Sequence, residues 1–413
     1  TLIGMFRKVF ERLLLRRFDA GGWAKVQPTQ AGFRSHYSTC ANAAVIHALL
    51  ESGRITHVVF LDFKAAFDVV DHALLLDILR RRGCPPRMQS LISSLTFHHV
   101  RSRIVSDGEA SDWFSRSKGV LQGSPLSPYL FNIFVDGLLE DLNDGATTVP
   151  RSLFYADDGT LLASSSSEIQ RLLDIVAAWS ARHRMTLNVK KCGYIAPPED
   201  EGSVLLAGEE LPRLQEYSYL GFPVTRSGID FRKHLKKRLE QACGRATFLS
   251  LHSDRWGPAH RLRIYRQYLA PMFEYGAPLV ASYAERCSKM WKVAEDAVKR
   301  LTGWIAGYTS NTYLTRNLLG LQPLPDRFAN LKTTFQVIIR QSSNESPLKA
   351  LRSLHWQSGS HYRCLTNDHT FHQYLDSQSD IPAEQEKIKR SIRSFLRERQ
   401  DAALARDARR RKL

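Results

Sequence analysis

The chain has 413 residues, 43% of them apolar and 24% charged, with 24 Gly, 17 Pro and 6 Cys. That composition excludes collagen-like, largely disordered and disulfide-stapled classes, and the length suits two or three domains with real cores. The 58 Lys and Arg against 41 Asp and Glu leave a formal net charge of +17, the balance of a protein that meets nucleic acid or an anionic membrane.

The cysteines (Cys40, Cys84, Cys192, Cys243, Cys287, Cys364) are scattered singly, with no Cys-x-x-Cys pair. They read as reduced thiols in an intracellular compartment. No apolar run approaches the ~20 residues that cross a bilayer, so the charge points to nucleic acid and no membrane partner is expected.

Residues 5–18 place Phe6, Val9, Phe10, Leu13 and Leu14 at helical spacing with Arg and Lys opposite. The same pattern is similar to a basic mitochondrial presequence. A second helix is expected from Ser38-Thr39 to Glu51, and HVVFLDF at 57–63 reads as a buried strand carrying Asp62. Asp71 has the place of an N-cap for a helix over HALLLDILRRR, ended by Gly83. Weak strand signals at 99–105 and 112–120 lead into the loop LQGSPLSP, and helical spacing resumes from Pro128 to about Leu142. LFYADDGTLLA at 153–163 predicts a hairpin with Asp157-Asp158-Gly159 at its turn. Residues 168–183 carry Ile169, Leu172, Leu173, Val176 and Trp179 on one helical face.

This order predicts an α+β layout around one antiparallel sheet. Beyond about residue 229 the chain reads as helices broken at Trp256-Gly257-Pro258, Gly276, Gly307 and Pro323-Leu-Pro325, with a domain boundary near 225. The tail from about 383 counts 11 Lys and Arg against 5 acids and is expected to fray in isolation.

Carboxylates at the ends of buried strands repel one another and lose hydration, so Asp62, Asp157 and Asp158 need a cation or a proton. Brought together, their oxygens would suit a pair of Mg²⁺ ions about 3.5–4 Å apart. Alone, each acid reads first as a turn or capping residue.

The neighbours decide between these. FLDFKAAFDVVDH, KGVLQGSPLSPYLFNIFVDGL, FYADDGTLLA, QAGFRSHYST, LNVKKC and YLGF, in fitting order over roughly 220 residues, resemble the motifs of reverse transcriptases, most of all those of non-LTR (LINE-like) retrotransposons. YRQYLAPMFEYGAPL at 265–279 is similar to their thumb, and the last 80 residues match nothing.

The resemblance implies a right-hand polymerase. Fingers and palm would occupy residues 1–225, a helical thumb 226–330 and a helical basic extension 331–413. It implies Asp62, Asp157 and Asp158 as ligands of two Mg²⁺ ions, with Mn²⁺ as a substitute, and Lys191 as proton donor to pyrophosphate, with Lys190 beside it as the competitor. Arg34, Phe63, Phe67, Gln122 and Gly123 would meet the incoming nucleotide. Phe67 has the place of a steric gate against a 2′-hydroxyl, or else of a core residue; Arg34 would bind the triphosphate, or else sit on the surface. Asp68 and Asp71 read as structural. Tyr219, Leu220 and Gly221 would form the primer grip. Arg232, Lys233, Lys236 and Lys237, with Arg238 and Arg245, would follow a phosphate backbone from one helix face. His361, Cys364, His369 and His372, lacking a paired Cys-x-x-Cys, argue against structural zinc.

The sequence departs from the family pattern in three ways. Thr1 falls inside the first fingers motif, so the preceding Arg-Pro pair, an N-terminal RNA-holding extension and an endonuclease domain are not in this sequence. Cys192 stands where Thr is usual, and Gly159 where a bulkier residue is common. The expected function is therefore an RNA-directed DNA polymerase. It would extend a DNA or RNA primer with deoxynucleoside triphosphates on an RNA template, in the nucleus or cytoplasm. The alternative is a domesticated, structural RNA-binding subunit of a ribonucleoprotein such as a mitochondrial ribosome.

Overall fold

The structure, a computed structural model, describes residues 3–35, 37–98, 101–145, 149–200, 202–251, 256–284, 294, 296, 320–322, 324–343, 345–353, 369–378, 387–388 and 390–398. Two compact units emerge. One comprises Thr1–Leu220, Thr225–Ser227 and Glu345–Ala350; the other comprises Gly221–Val224, Gly228–Asn344 and Leu351–Leu413.

The first unit begins with α1 (Met5–Ala20), α2 (Thr39–Glu51), β1 (His57–Leu61), α3 (His72–Arg81) and α4 (Pro86–Ser93), which runs on as a π-helical turn over Ser94–His98. Four two-residue strands follow: β2 (Arg101–Ser102), β3 (Val105–Ser106), β4 (Glu109–Ala110) and β5 (Phe114–Ser115). Then come α5 (Ser127–Asn143), β6 (Ser152–Tyr155), β7 (Asp158–Ala163), α6 (Ser166–Arg182), β8 (Gly193–Ile195), β9 (Leu205–Leu206), β10 (Glu209–Glu210) and β11 (Glu216–Tyr219).

Local chemistry accounts for the helix starts. Ser38 caps α2 by accepting from the Ala41 N–H at 3.2 Å. Asp71 caps α3 by accepting from Ala73 and Leu74 N–H at 3.0 and 3.1 Å, and Ser165 caps α6 through Glu168 N–H. The Asp71 carboxyl is also paired with Arg184 at 2.8 Å. Burial pushes its pKa up, but the cap bonds and Arg184 outweigh burial and hold it low.

The main sheet has the order β6-β7-β1-β8 and its pairs are antiparallel. β1 lies inside it with all five residues buried, which is why HVVFL is continuously apolar after His57 rather than alternating. Helices α5 and α6 pack their apolar faces on the sheet and each other, with Phe134 edge-on to Trp179 at 6.0 Å and both fully buried.

The strand signal at 112–120 reduces to Phe114–Ser115, because Lys118–Val120 folds back on the loop after β1. There Gly119 N–H donates to Val70 C=O and Val120 N–H to Phe67 C=O. The hairpin turn also differs from expectation. Tyr155 pairs with Asp158, so the loop is Ala156-Asp157 and Gly159 lies in the strand. A Cβ at Gly159 would meet the Phe154 ring at 2.6 Å, so the glycine makes room for an aromatic ring rather than for a turn.

The second unit holds most of β12 (Phe222–Thr225), then β13 (Gly228–Ile229), α7 (Phe231–Leu251), α8 (Pro258–Ile264), a π-helical turn over Tyr265–Leu269, α9 (Ala270–Glu274), α10 (Ala277–Ala284), α11 (Leu324–Gln341), part of α12 (Leu348–Ser353) and α13 (His369–Asp376). Arg327 forks onto Glu274 with bonds of 2.8 and 2.7 Å, joining α11 to α9. The boundary expected near residue 330 falls inside α11, which runs through it unbroken. Pro325 sits in the first turn of that helix, where a missing N–H costs nothing. Gly307, Pro323, His361 and Cys364, and the side chains of His369 and His372, lie outside the described residues. Among the described residues no helix is long and apolar enough to cross a membrane.

Candidate active site

The register of the main sheet brings the acids together. Leu61 pairs with Gly159, so the next residue, Asp62, lies across from Asp158, and Asp157 occupies the adjoining turn. The three carboxyls thus share one end of the two neighbouring strands β1 and β7. Burial, partly offset by a backbone N–H and reinforced by the charge of Asp62, raises the pKa of Asp157. The Asp158 side chain reaches solvent, yet partial desolvation and the charges of Asp157 and Asp62 push it up to about 6. Mutual repulsion of this kind is relieved by a cation.

Among the described residues no group of three or more His, Cys, Asp or Glu side chains is arranged to hold a metal ion. The donors still suit a hard divalent cation in kind, because three carboxyls offer oxygen ligands and the charge of Asp62 raises the pKa of both Asp157 and Asp158.

Asp62 is fixed from below by the segment 186–192. Its C=O accepts from Asn188 N–H at 2.8 Å, and its carboxylate accepts from Asn188 Nδ2 at 2.9 Å. Its N–H donates to Cys192 Sγ at 3.3 Å, so the cysteine that replaces the usual Thr keeps an acceptor under the aspartate. Burial is the main cause raising the thiol pKa. Lys191 is exposed and reaches Asp62 with its Nζ at 4.0 Å; Lys190 is exposed beside it.

Aromatic residues wall the carboxylate face. Phe60, two residues before Asp62 and on the same face, stacks on Tyr217 at 4.2 Å. Burial and the nearby Asp158 and Asp62 push the Tyr217 phenol up to about 12. Tyr219 is buried, and burial drives its phenol above the usual range while Asn42 Nδ2 donates to its hydroxyl at 3.3 Å. The next two residues turn sharply, Leu220 at φ 46° and Gly221 at φ 77°, the conformation that a two-residue hairpin needs.

The expected nucleotide-binding residues divide by role. Phe63 is buried and bridges to Leu187, a core position. Phe67 is half-buried, stacked on Phe131 at 4.3 Å and edge-on to Phe33 at 6.1 Å, so one side belongs to the core. Gln122 and Gly123 are exposed, with Gly123 at φ 86°, and the loop is anchored where Ser124 Oγ donates to the buried Glu11 at 2.6 Å. Arg34 donates to the carbonyls of Gln27 and Gln30 at 2.8 and 2.9 Å and lies over the Tyr37 ring. It therefore braces its own loop.

In the second unit, Arg232, Lys233, Lys236 and Lys237 are exposed on α7 while His234, Leu235, Leu239 and Ala242 are buried. Arg238 leaves that face to lie over Tyr275 at 4.3 Å. Asn188, Tyr217 and Glu11 take part in these sites without having been singled out from sequence. Asn188 alone had a local signal, as the polar residue inside LNVKKC.

Residues 2–224 match the family described as reverse transcriptase (RNA-dependent DNA polymerase). The chain is 33% identical over 195 residues to the retrovirus-related Pol polyprotein from type-1 retrotransposable element R2 of Popillia japonica, covering 43% of this chain and 32% of that protein. It is 31% identical over 222 residues to the corresponding type-2 element protein R2DM of Drosophila melanogaster, covering 49% and 21%. It is 27% identical over 332 residues to the RNA-directed DNA polymerase from mobile element jockey of the same fly, covering 73% and 35%. Among solved structures, telomerase from Candida albicans in complex with a fragment of telomeric RNA aligns with a TM-score of 0.44 and 13% identity, covering 84% of this chain and 55% of that one. The chain spans about a fifth to a third of the length of these curated relatives. With its motifs carried on a palm-type sheet and matched over more than half its length, the chain belongs to the reverse transcriptase family, among relatives from non-LTR retrotransposons.

Proposed function

We propose that the chain is an RNA-directed DNA polymerase of a non-LTR retrotransposon, extending a primer 3′-hydroxyl on an RNA template. The observation that carries this is the strand register that sets Asp62 across from Asp158 beside the Asp157 turn. A purely structural protein has no physical need for three mutually repelling carboxyls at one strand end.

Asp62, Asp157 and Asp158 would hold Mg²⁺, or Mn²⁺ in its place; when bound, the ions would supply an activated hydroxyl and neutralise the leaving phosphate. Lys191, within reach of Asp62, holds the proton that pyrophosphate takes as it leaves. Gln122 and Gly123 bind the incoming deoxynucleotide through an exposed loop, with the open side of Phe67 under the sugar. Tyr219, Leu220 and Gly221 hold the primer end, and the exposed basic face of α7 follows a phosphate backbone. The fingers and palm lie in residues 1–225, with the helical part that follows gripping nucleic acid. An element's polymerase would do this work in the nucleus or cytoplasm.

Primer extension on an RNA template with labelled deoxynucleotides and Mg²⁺ tests the reading, beside Asp157→Ala and a salt-dependent RNA titration. Asp157→Ala should abolish synthesis and leave RNA affinity nearly intact. Extension at the normal rate by that variant would remove the site assignment. Tight RNA binding without synthesis by the unaltered chain, in Mg²⁺ or Mn²⁺, would make it a structural ribonucleoprotein subunit.

A further inference from the structure

We propose that Gln30 is a positioning residue that fixes the turn carrying Asp157. The inference rests on the polymerase reading of that turn. Gln30 is fully buried, although an uncharged amide buried in a protein core is costly unless every polar atom finds a partner. Its partners are the backbones of Ala156 and Gly32. Gln30 Oε1 accepts from Ala156 N–H at 2.8 Å and from Gly32 N–H at 2.9 Å, and Gln30 Nε2 donates to Ala156 C=O at 3.1 Å.

Ala156 directly precedes Asp157 and sits at φ 59°, the left-handed region that an L-residue with a Cβ adopts only when its surroundings hold it there. The side-chain amide of a glutamine offers an acceptor and a donor in one plane, the complement of one residue's N–H and C=O. Gln30 therefore acts on the strained residue as a second peptide strand would.

The backbone around Gln30 fixes the amide in turn. Phe154 N–H donates to Thr29 C=O at 2.9 Å and Ala31 N–H to Phe154 C=O at 2.8 Å, which lays the segment along β6. A Cβ at Gly32 would stand 2.3 Å from Ala156 N, so only glycine lets the two backbones approach this closely. Asn132 Nδ2 donates to Gly32 C=O at 2.8 Å, tying the segment to α5. Gln30 reaches Asp157 only through Ala156, so it orients a metal-binding carboxyl without touching substrate.

The test uses the whole chain with Gln30→Met, which keeps length and loses all three bonds, and Gln30→Glu, which keeps an acceptor and, when ionised, loses the donor. Steady-state extension, RNA titration and amide hydrogen exchange without nucleotide or divalent ion are measured on each. In Gln30→Met, kcat should fall on the order of ten- to a hundredfold with the KM for deoxynucleotide and the RNA Kd unchanged. The Ala156 amide should lose protection while Val58–Leu61 keep theirs. Wild-type kcat, unchanged protection at Ala156, or loss of protection throughout β1 would each overturn the proposal. If Gln30→Met does not fold, Gln30→Glu decides by kcat. It keeps the acceptor of the Ala156 N–H and loses only the bond to the Ala156 C=O, so kcat should still fall with KM and RNA Kd unchanged, and wild-type kcat would overturn the proposal. Absence of synthesis by the unaltered chain would refute the polymerase reading alone, because the exchange result at Ala156 stands without activity.

Discussion

Gly159→Ala probes whether the Phe154 ring sets the geometry of the hairpin that carries Asp157 and Asp158. A methyl there would lie 2.6 Å from Cζ and 2.7 Å from Cε1 of a fully buried ring, contacts that real Cβ atoms do not make. Overpacking of this kind costs about 1–3 kcal/mol. Phe154→Leu alone opens space instead, at about 1–2 kcal/mol. The two residues form a cross-strand pair, so the double variant should be more stable than the sum of the singles predicts by about 1 kcal/mol or more. Urea unfolding gives the energies, and exchange of the β1 and β7 amides reports the first unit by itself, since two units need not unfold together. Synthesis should drop in Gly159→Ala and recover in the double variant, because Asp158 moves with its neighbour. Strict additivity would refute the reasoning and return Gly159 to an ordinary strand position.

Phe67→Ala should admit ribonucleotides, with discrimination in kcat/KM relaxed by roughly tenfold or more; unchanged sugar selectivity would make Phe67 a core residue only, held by Phe131 and Phe33. Asp200 predicts an acid limb. The Ser166 hydroxyl, the Gly202 N–H and His57 Nε2 at 2.7 Å hold its carboxyl down to about 2. A carboxyl depressed in the folded state contributes stability in full above its unfolded value of about 4 and loses it as pH falls from there towards 2. Asp200→Asn should flatten that part of the stability profile, and an unaltered acid limb would assign the loss to other carboxyls.

What the sequence made legible was local. Asp71 could be read as a cap because its bonds reach only two and three residues ahead. The run after His57 could be read as buried because a strand enclosed on both sides has no polar alternation. The candidate acids were visible for the same reason, as charges set at the edges of apolar arms. The short strands β8 to β11 went unseen because two to four residues carry too little pattern. Helix α4 was hidden behind Pro85-Pro86, which reads as a break yet supplies its first turn. Gln30 stands inside QAGFRSHYST with no local sign of its role. Its partner Ala156 lies 126 residues away, and no local pattern encodes a contact of that span. Gly159 was misassigned to the turn because Asp-Asp-Gly is turn chemistry, whereas the packing of Phe154 is what requires it.

The segments that flank the main sheet also bear on solubility. On one outer side, Gln30 forms a parallel bridge to Phe154 of β6; on the other, Arg213 forms one to Tyr194 of β8. Tyr194 N–H donates to Pro212 C=O at 3.0 Å, and Leu214 N–H to Tyr194 C=O at 2.8 Å. An open strand edge is a template on which a second chain can add itself. Here single residues, one beside a proline, occupy those positions without extending the sheet. The outer strands β6 and β8 of the sheet that carries the acids are thereby guarded against edge-to-edge aggregation. During synthesis, the guard for β6 emerges before the strand it covers, while that for β8 emerges after it.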